Sequence, residues 1–172
     1  MFDENHSLSH GDLLAFGEAV RWAPSSNNAQ PWKFALLTRE SEEFKLISEH
    51  GLTGFNQEWA PKASMYAVVM ADKIRPDGKE WDKAIVYYNA GLASQQLVFE
   101  AEAMGLKAHY MGGIIHDQVQ EIVDVKDVYI VNIIAVGLQA SHESASAEMQ
   151  EREVAPRERK PLMEIITHGI SL

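Results

Sequence analysis

A chain of 172 residues, 46% hydrophobic and 23% charged, carries enough apolar material for one globular domain and has too ordinary a balance for a disordered or fibrous class. A formal charge of -10 argues against nucleic acid and anionic membrane as partners, because affinity for either rests on Lys and Arg neutralising phosphates. The absence of cysteine removes disulfides, thiol catalysis and Cys-ligated metals, so redox chemistry would require a bound cofactor. Met1 to His10 is polar and acidic and lacks the apolar stretch of a secretion signal. No apolar run approaches the roughly 20 residues of a membrane span, which makes the cytoplasm the expected location. This terminus is expected to be mobile, and its His6 and His10 stand without acids at ligand spacing, so no metal is expected.

Leu13, Phe16 and Val20 recur at helical spacing after a cap at Ser9 or Asp12, and Pro24 ends the pattern. Residues 23–32 are turn formers and amides bracketed by two prolines, which excludes regular structure. Phe34 to Thr38 reads as a strand and Ser41 to His50 as a short helix. Met65 to Ala71 reads as a central strand, buried on both faces. Trp81 to Met104 predicts the longest helix, with one apolar stripe through Ile85, Tyr88, Leu92 and Phe99 and another through Val86, Ala90, Ala93 and Leu97. A helix apolar on two sides is expected to be buried on two sides. Gly105 stands where a helix stop belongs, Lys107 to Met111 predicts a strand, Asp117 to Val123 a turn or two of helix, and Val128 to Val136 another buried strand. Beyond Gly137 the chain turns polar until Leu162, Ile165 and Ile166, which would anchor a last short element. The sum is an α+β sandwich, helices covering a sheet, in one domain over residues 1–172 with 138–172 as a C-terminal arm.

The segment Arg21 to Trp32, RWAPSSNNAQPW, concentrates hydroxyls and amides on a loop stiffened by prolines. Such groups suit a buried heteroaromatic ring whose rim of carbonyls and ring nitrogens must be hydrogen-bonded. Composition alone is equally that of a surface turn. The full pattern resembles the signature loop of the nitroreductase family, in which a helix ends in Ala-Pro-Ser and Asn-x-Gln-Pro-Trp follows. Carried over by that resemblance, Pro24, Ser25, Ser26, Asn28 and Gln30 surround a flavin, and Trp32 begins the strand behind it.

Weaker matches follow in the family's order. Phe55-Asn56 is similar to its Phe-Asn step, making Asn56 a flavin contact, although Asn after Phe also closes turns. The long helix ending in Gly105-Leu106 looks like the family's dimer helix. Gly112 and Gly113 resemble the glycine step that lets backbone approach the flavin face. Arg157, Arg159 and Lys160 resemble its C-terminal basic motif and would meet the FMN phosphate, while a solvated charged tail is the other reading. The chain departs from the family in having no Arg or Lys in residues 1–12, so Arg21 with the 157–160 cluster would have to substitute. It is also short between Asp72 and Glu80, which implies a more open pocket.

The resemblance, which runs from Leu13 to Leu172, implies the nitroreductase-like fold, a mixed and mainly antiparallel sheet flanked by helices, in a homodimer. It further implies FMN, NAD(P)H as transient reductant, and hydride transfer through flavin N5 to a nitroaromatic, quinone or similar small acceptor, with no side chain as acid or base. The alternative is a flavin-binding or sequestering module without efficient turnover. Gly-x-Ser-x-Gly, P-loop and Gly-x-Gly-x-x-Gly patterns are all absent from the sequence.

Overall fold

The computed structural model describes residues 1–141, 143 and 146–169; residues 142, 144, 145 and 170–172 of the expected arm lie outside the described residues. Two compact units divide the chain, Met1–Ala140 and Ser141–Leu172. The first opens with helix α1, His10–Arg21, started by a reciprocal cap. Ser9 Oγ accepts from the Asp12 amide (3.2 Å) and Asp12 Oδ2 accepts from the Ser9 amide (2.7 Å), which settles the cap on Ser9. Strand β1 runs Trp32–Thr38, helix α2 Glu42–Leu46, α3 Asn56–Trp59 and strand β2 Met65–Asp72. Between α2 and α3 the predicted short helix loosens into a π turn at Ile47–Gly51. Helix α4 spans Lys83–Ala103, β3 Lys107–Met111, α5 His116–Val123 and β4 Val128–Gly137.

The four strands form one sheet in the order β1-β2-β4-β3, every ladder antiparallel, so β1 and β3 are its edges. β2 is buried from Met65 through Ala71, as its unbroken apolar run predicts. Its alternate residues Met65, Ala67, Val69 and Ala71 join Phe16 and Val20 of α1, Val86, Ala90, Ala93 and Leu97 of α4, and Ile134 and Val136 of β4 in one core. On the opposite face Phe44 of α2 stacks on Tyr66 at 3.9 Å between ring centroids, and the Tyr66 hydroxyl pairs with Ser48 Oγ at 3.1 Å. The β2–β4 register shifts after Val69, and Asn132, at that irregularity, buries its Oδ1 with no hydrogen-bond partner among the described residues.

α4 is started by Asp82, whose Oδ1 accepts from the Ala84 and Ile85 amides (2.8 and 3.3 Å), and is released by Gly105 at φ +76°, a left-handed turn that glycine adopts without a Cβ clash. Its inner stripe is wholly buried. Its outer stripe departs from expectation, because within one chain Ile85, Tyr88 and Phe99 are exposed, Tyr88 by 65%, and Leu92 is half-buried.

The N-terminal segment corrects a second expectation, since it is fastened rather than mobile. Phe2 is buried and bridges Gln139, and the Asp3 amide donates to Leu138 O. Arg39 donates to the carbonyls of Glu4, His6, Lys62 and Ala63, tying residues 4–6 to the approach to β2. His6 Nδ1 lies 2.8 Å from the buried Ser64 Oγ.

The second unit contains α6, Ala147–Val154, and α7, Leu162–Ile165. Ser146 caps α6. Among the described residues no helix is long and apolar enough to cross a membrane.

Candidate functional site

The proline-bounded segment folds as a tight loop around a short turn at Ser26–Asn28. Asn27, Asn28 and Gln30 all take left-handed backbone, at φ 52°, 55° and 48°. Asn tolerates that region and Gln does not, so Gln30 needs holding. Its amide donates to Ser25 Oγ (3.0 Å), and its Nε2 donates to Asn28 O and Oδ1 (both 3.1 Å). The Asn28 amide donates to Ser25 O at 3.1 Å. Pro24 is exposed at the entrance, while Pro31 is buried and its carbonyl accepts from the Asp72 amide at 3.1 Å. The side chains of Ser26 and Asn27 are exposed and carry no hydrogen bond among the described residues.

Arg21, just ahead of the loop, is engaged with Glu18 on its own helix (Nη2 to Oε2 2.5 Å, Nε to Oε1 2.9 Å). The Arg21 guanidinium holds the Glu18 carboxyl below the usual range and is itself pushed further up. It also lies over the ring of Trp22, which is 75% exposed and donates from Nε1 to Glu18 Oε2 (3.2 Å).

Asn56 and Gly113, 57 positions apart, meet directly. Asn56 Nδ2 donates to Gly113 O at 3.2 Å, and the Thr53 amide donates to the same carbonyl at 3.0 Å. A Cβ on Gly113 would fall 2.9 Å from Asn56 Nδ2 and 3.0 Å from Thr53 Oγ1, so any other residue here must displace the Asn56 side chain from its bond. A Cβ on Gly112 would meet nothing within 4 Å, so that glycine leaves open space beside the strand end.

The candidate residues of the first unit therefore fall into two groups. The loop, with Pro24, Ser25, Ser26, Asn28 and Gln30, leads into edge strand β1. Asn56, Gly112 and Gly113 gather at the end of the opposite edge strand, β3. Three interstrand spacings of about 4.8 Å separate the two edges, roughly 14 Å. Arg157, Arg159 and Lys160 belong to the second unit, where they are exposed and Arg159 Nη1 donates to Glu158 O (2.7 Å).

Sequence reasoning missed Asn89. It is fully buried on the inner face of α4, its Oδ1 accepts from the Ser26 amide at 2.9 Å, and its Nδ2 donates to Ile85 O at 2.7 Å. The signal was present, since an amide interrupting the stripe of Val86, Ala90 and Ala93 needs a buried partner. Thr53 was missed as well, and nothing in its sequence context marks it.

The family model described as Nitroreductase family matches residues 1–138. The oxygen-insensitive NADPH nitroreductase of Helicobacter pylori (strain J99 / ATCC 700824) is 37% identical over 73 residues, which are 42% of this chain and 33% of that protein. The chain thus spans about a third of the length of that curated relative. A solved structure described as an oxidoreductase containing FMN is 32% identical, with a TM-score of 0.87 over 98% of this chain and 85% of that one. A nitroreductase family protein from Streptococcus pneumoniae TIGR4 shares the fold at 19% identity, with a TM-score of 0.76 over 96% and 92% of the two chains. With more than half its length matched by the family model and its full sandwich reproduced in a relative above 30% identity, this chain belongs to the nitroreductase family.

Proposed function

We propose that this protein is an FMN-dependent NAD(P)H oxidoreductase that reduces a nitroaromatic, quinone or similar small acceptor, working as a cytoplasmic homodimer. The observation that carries this reading is the proline-bounded loop of residues 24–31, which is tied to α4 through Asn89 and leaves the exposed Ser26 and Asn27 side chains without hydrogen bonds among the described residues. The residues fit the cofactor. Ser26, Asn27 and Asn28 offer donors and acceptors for a ring rim, and Gly112 leaves open space. Asn56 Oδ1 has no hydrogen-bond partner among the described residues. Bound FMN supplies the hydride chemistry. The chain's own groups orient the ring, exclude water from it and place amide donors where negative charge gathers on reduction.

The homodimer belongs to the same proposal. The loop and the Asn56–Gly113 group lie at opposite sheet edges, and in a two-fold assembly each would serve a ring shared with the other copy. Ile85, Tyr88 and Phe99 form an exposed apolar stripe of the kind such a contact buries.

One observation favours the alternative of a flavin-binding module without efficient turnover. Arg21 is already paired with Glu18, and residues 1–12 hold no Arg or Lys to meet a phosphate. The deciding experiment is an absorbance spectrum of the purified protein followed by anaerobic reductant. A yellow protein bleached by NADH or NADPH and recoloured by a nitroaromatic or quinone is the oxidoreductase. One that stays yellow is the binding module, and one that remains colourless with added FMN refutes both.

A further inference from the structure

The inner face of α4 carries two fully or almost fully buried polar side chains, Asn89 and Ser94, and they behave differently. Ser94 Oγ donates back to Ala90 O at 2.7 Å and so satisfies itself within the helix. Asn89 makes the equivalent back-bond from Nδ2 to Ile85 O, then directs its Oδ1 out of the helix to the Ser26 amide. Among the described residues this is the one hydrogen bond joining residues 24–30 to another element. The bonds within the loop fix its shape, with Ser25 and Gln30 closing it on itself. Where the shape points is set at its ends by buried Ala23 and by Pro31, whose carbonyl accepts from the Asp72 amide, and between them by Asn89. A loop holding three left-handed non-glycine residues keeps that conformation only when its surroundings over-determine it.

We propose that Asn89 is a positioning residue, a buried carboxamide that aims the signature loop at the flavin without touching it. The proposal rests on the FMN reading above. Without the anchor the loop samples several orientations, and apparent affinity for a ring falls with the fraction of molecules in the competent one. Because Asn89 stands one residue beyond Tyr88 and four beyond Ile85, the same helix that offers the outer stripe to a second copy also sets the loop.

The test compares full-length Asn89→Leu, which has similar volume and no acceptor, with Asn89→Asp, which keeps an oxygen facing the Ser26 amide. FMN is titrated into the apoprotein and followed by flavin fluorescence, and hydrogen exchange of the Ser26 amide is read separately by NMR. Asn89→Leu is expected to weaken FMN binding about 10- to 100-fold and to deprotect Ser26, as loss of one buried acceptor predicts. Asn89→Asp, kept neutral by its burial, still accepts from the Ser26 amide and donates its O–H toward Ile85 O, so it is expected to stay within about threefold with Ser26 protected. A merely structural amide would instead leave folded Asn89→Leu equal to Asn89→Asp in both FMN affinity and Ser26 exchange.

A second pair reads the same bond should Asn89→Leu not fold. Ser26→Pro removes the amide hydrogen that Asn89 accepts and turns a ring carbon toward that oxygen, whereas Ser26→Ala keeps the amide, and Ser25, extended at φ -147° and ψ 154°, already has the backbone a residue before proline needs. Ser26→Pro is expected to bind FMN about tenfold more weakly than Ser26→Ala. Equal affinity within either pair overturns the proposal. A wild-type protein that binds no FMN overturns the flavin reading instead, and the Ser26 exchange rates then still report whether Asn89 holds the loop.

Discussion

The two faces of α4 are made of the same kind of residue and have opposite fates. Val86, Ala90, Ala93 and Leu97 are fully buried against the sheet and α1, whereas Ile85, Tyr88 and Phe99, one residue away around the helix, stand in solvent. An apolar stripe states that a surface leaves water, and it does not state whether the same chain or a second one covers it. The same division runs through the candidate site. The Asn56–Gly113 contact and the Ser9 cap close within the chain, while the exposed Ser26 and Asn27 side chains leave bonds to be made by something else.

The sharpest way to break this comparison is to charge the outer stripe. Tyr88→Asp with Phe99→Asp would put unpaired carboxylates into the proposed subunit contact at about 3–5 kcal/mol each, so light scattering is expected to find dimers for the wild type and single chains of native circular dichroism for the variant. A wild type that is itself monomeric at micromolar concentration would remove the contrast. On the inner face Leu97→Ala is expected to cost about 2–5 kcal/mol of unfolding free energy in urea, through lost burial and the cavity left behind. Gly113→Ala pushes a Cβ against Asn56 and Thr53, and an expected loss of about 1–3 kcal/mol would show that contact to be tight within one chain.

The smallest effect is at the start of α1, where Ser9→Ala is expected to cost about 1 kcal/mol. Its pH dependence identifies the cause. The Ser9 amide first, and the Ser9 hydroxyl second, hold the Asp12 carboxyl below the usual aspartate range. A depressed native value means the stabilisation is complete above the unfolded-state value and disappears as pH falls through the native one. Ser9→Ala keeps the amide and loses the hydroxyl, so urea melts of wild type and Ser9→Ala should differ most near neutrality and draw closer in acid, retaining the part due to the Asp12 amide bond to Ser9 Oγ.

Much of the fold was legible in residue order. Continuous apolar runs marked Met65–Ala71 and Val128–Val136, and two apolar stripes with a stop at Gly105 bounded the long helix within two residues at either end. α6 was not legible, because AEMQEREV is polar all round and its one clear signal is the Ser146 cap. Phe2 was misread along with its polar neighbours, since its burial depends on Gln139 and Trp59, far away in sequence. The loop was the most legible part of the candidate site, as its chemistry is local. That its candidate companions gather at the other sheet edge was not legible, because strand order is decided by packing between distant segments. Asn89 lay hidden for the opposite reason, a single polar letter inside a stripe read for its apolar ones.

The fastening of the first residues has a practical consequence for anyone handling the protein. Met1 O accepts from the Ala140 amide, and Arg39 reaches the carbonyls of Glu4 and His6, so this stretch works as a hem along the sheet's border. Trimming six residues would strip the guanidinium of three of its five carbonyl acceptors and bare Trp59, turning a convenient cloning site into a source of misfolded material.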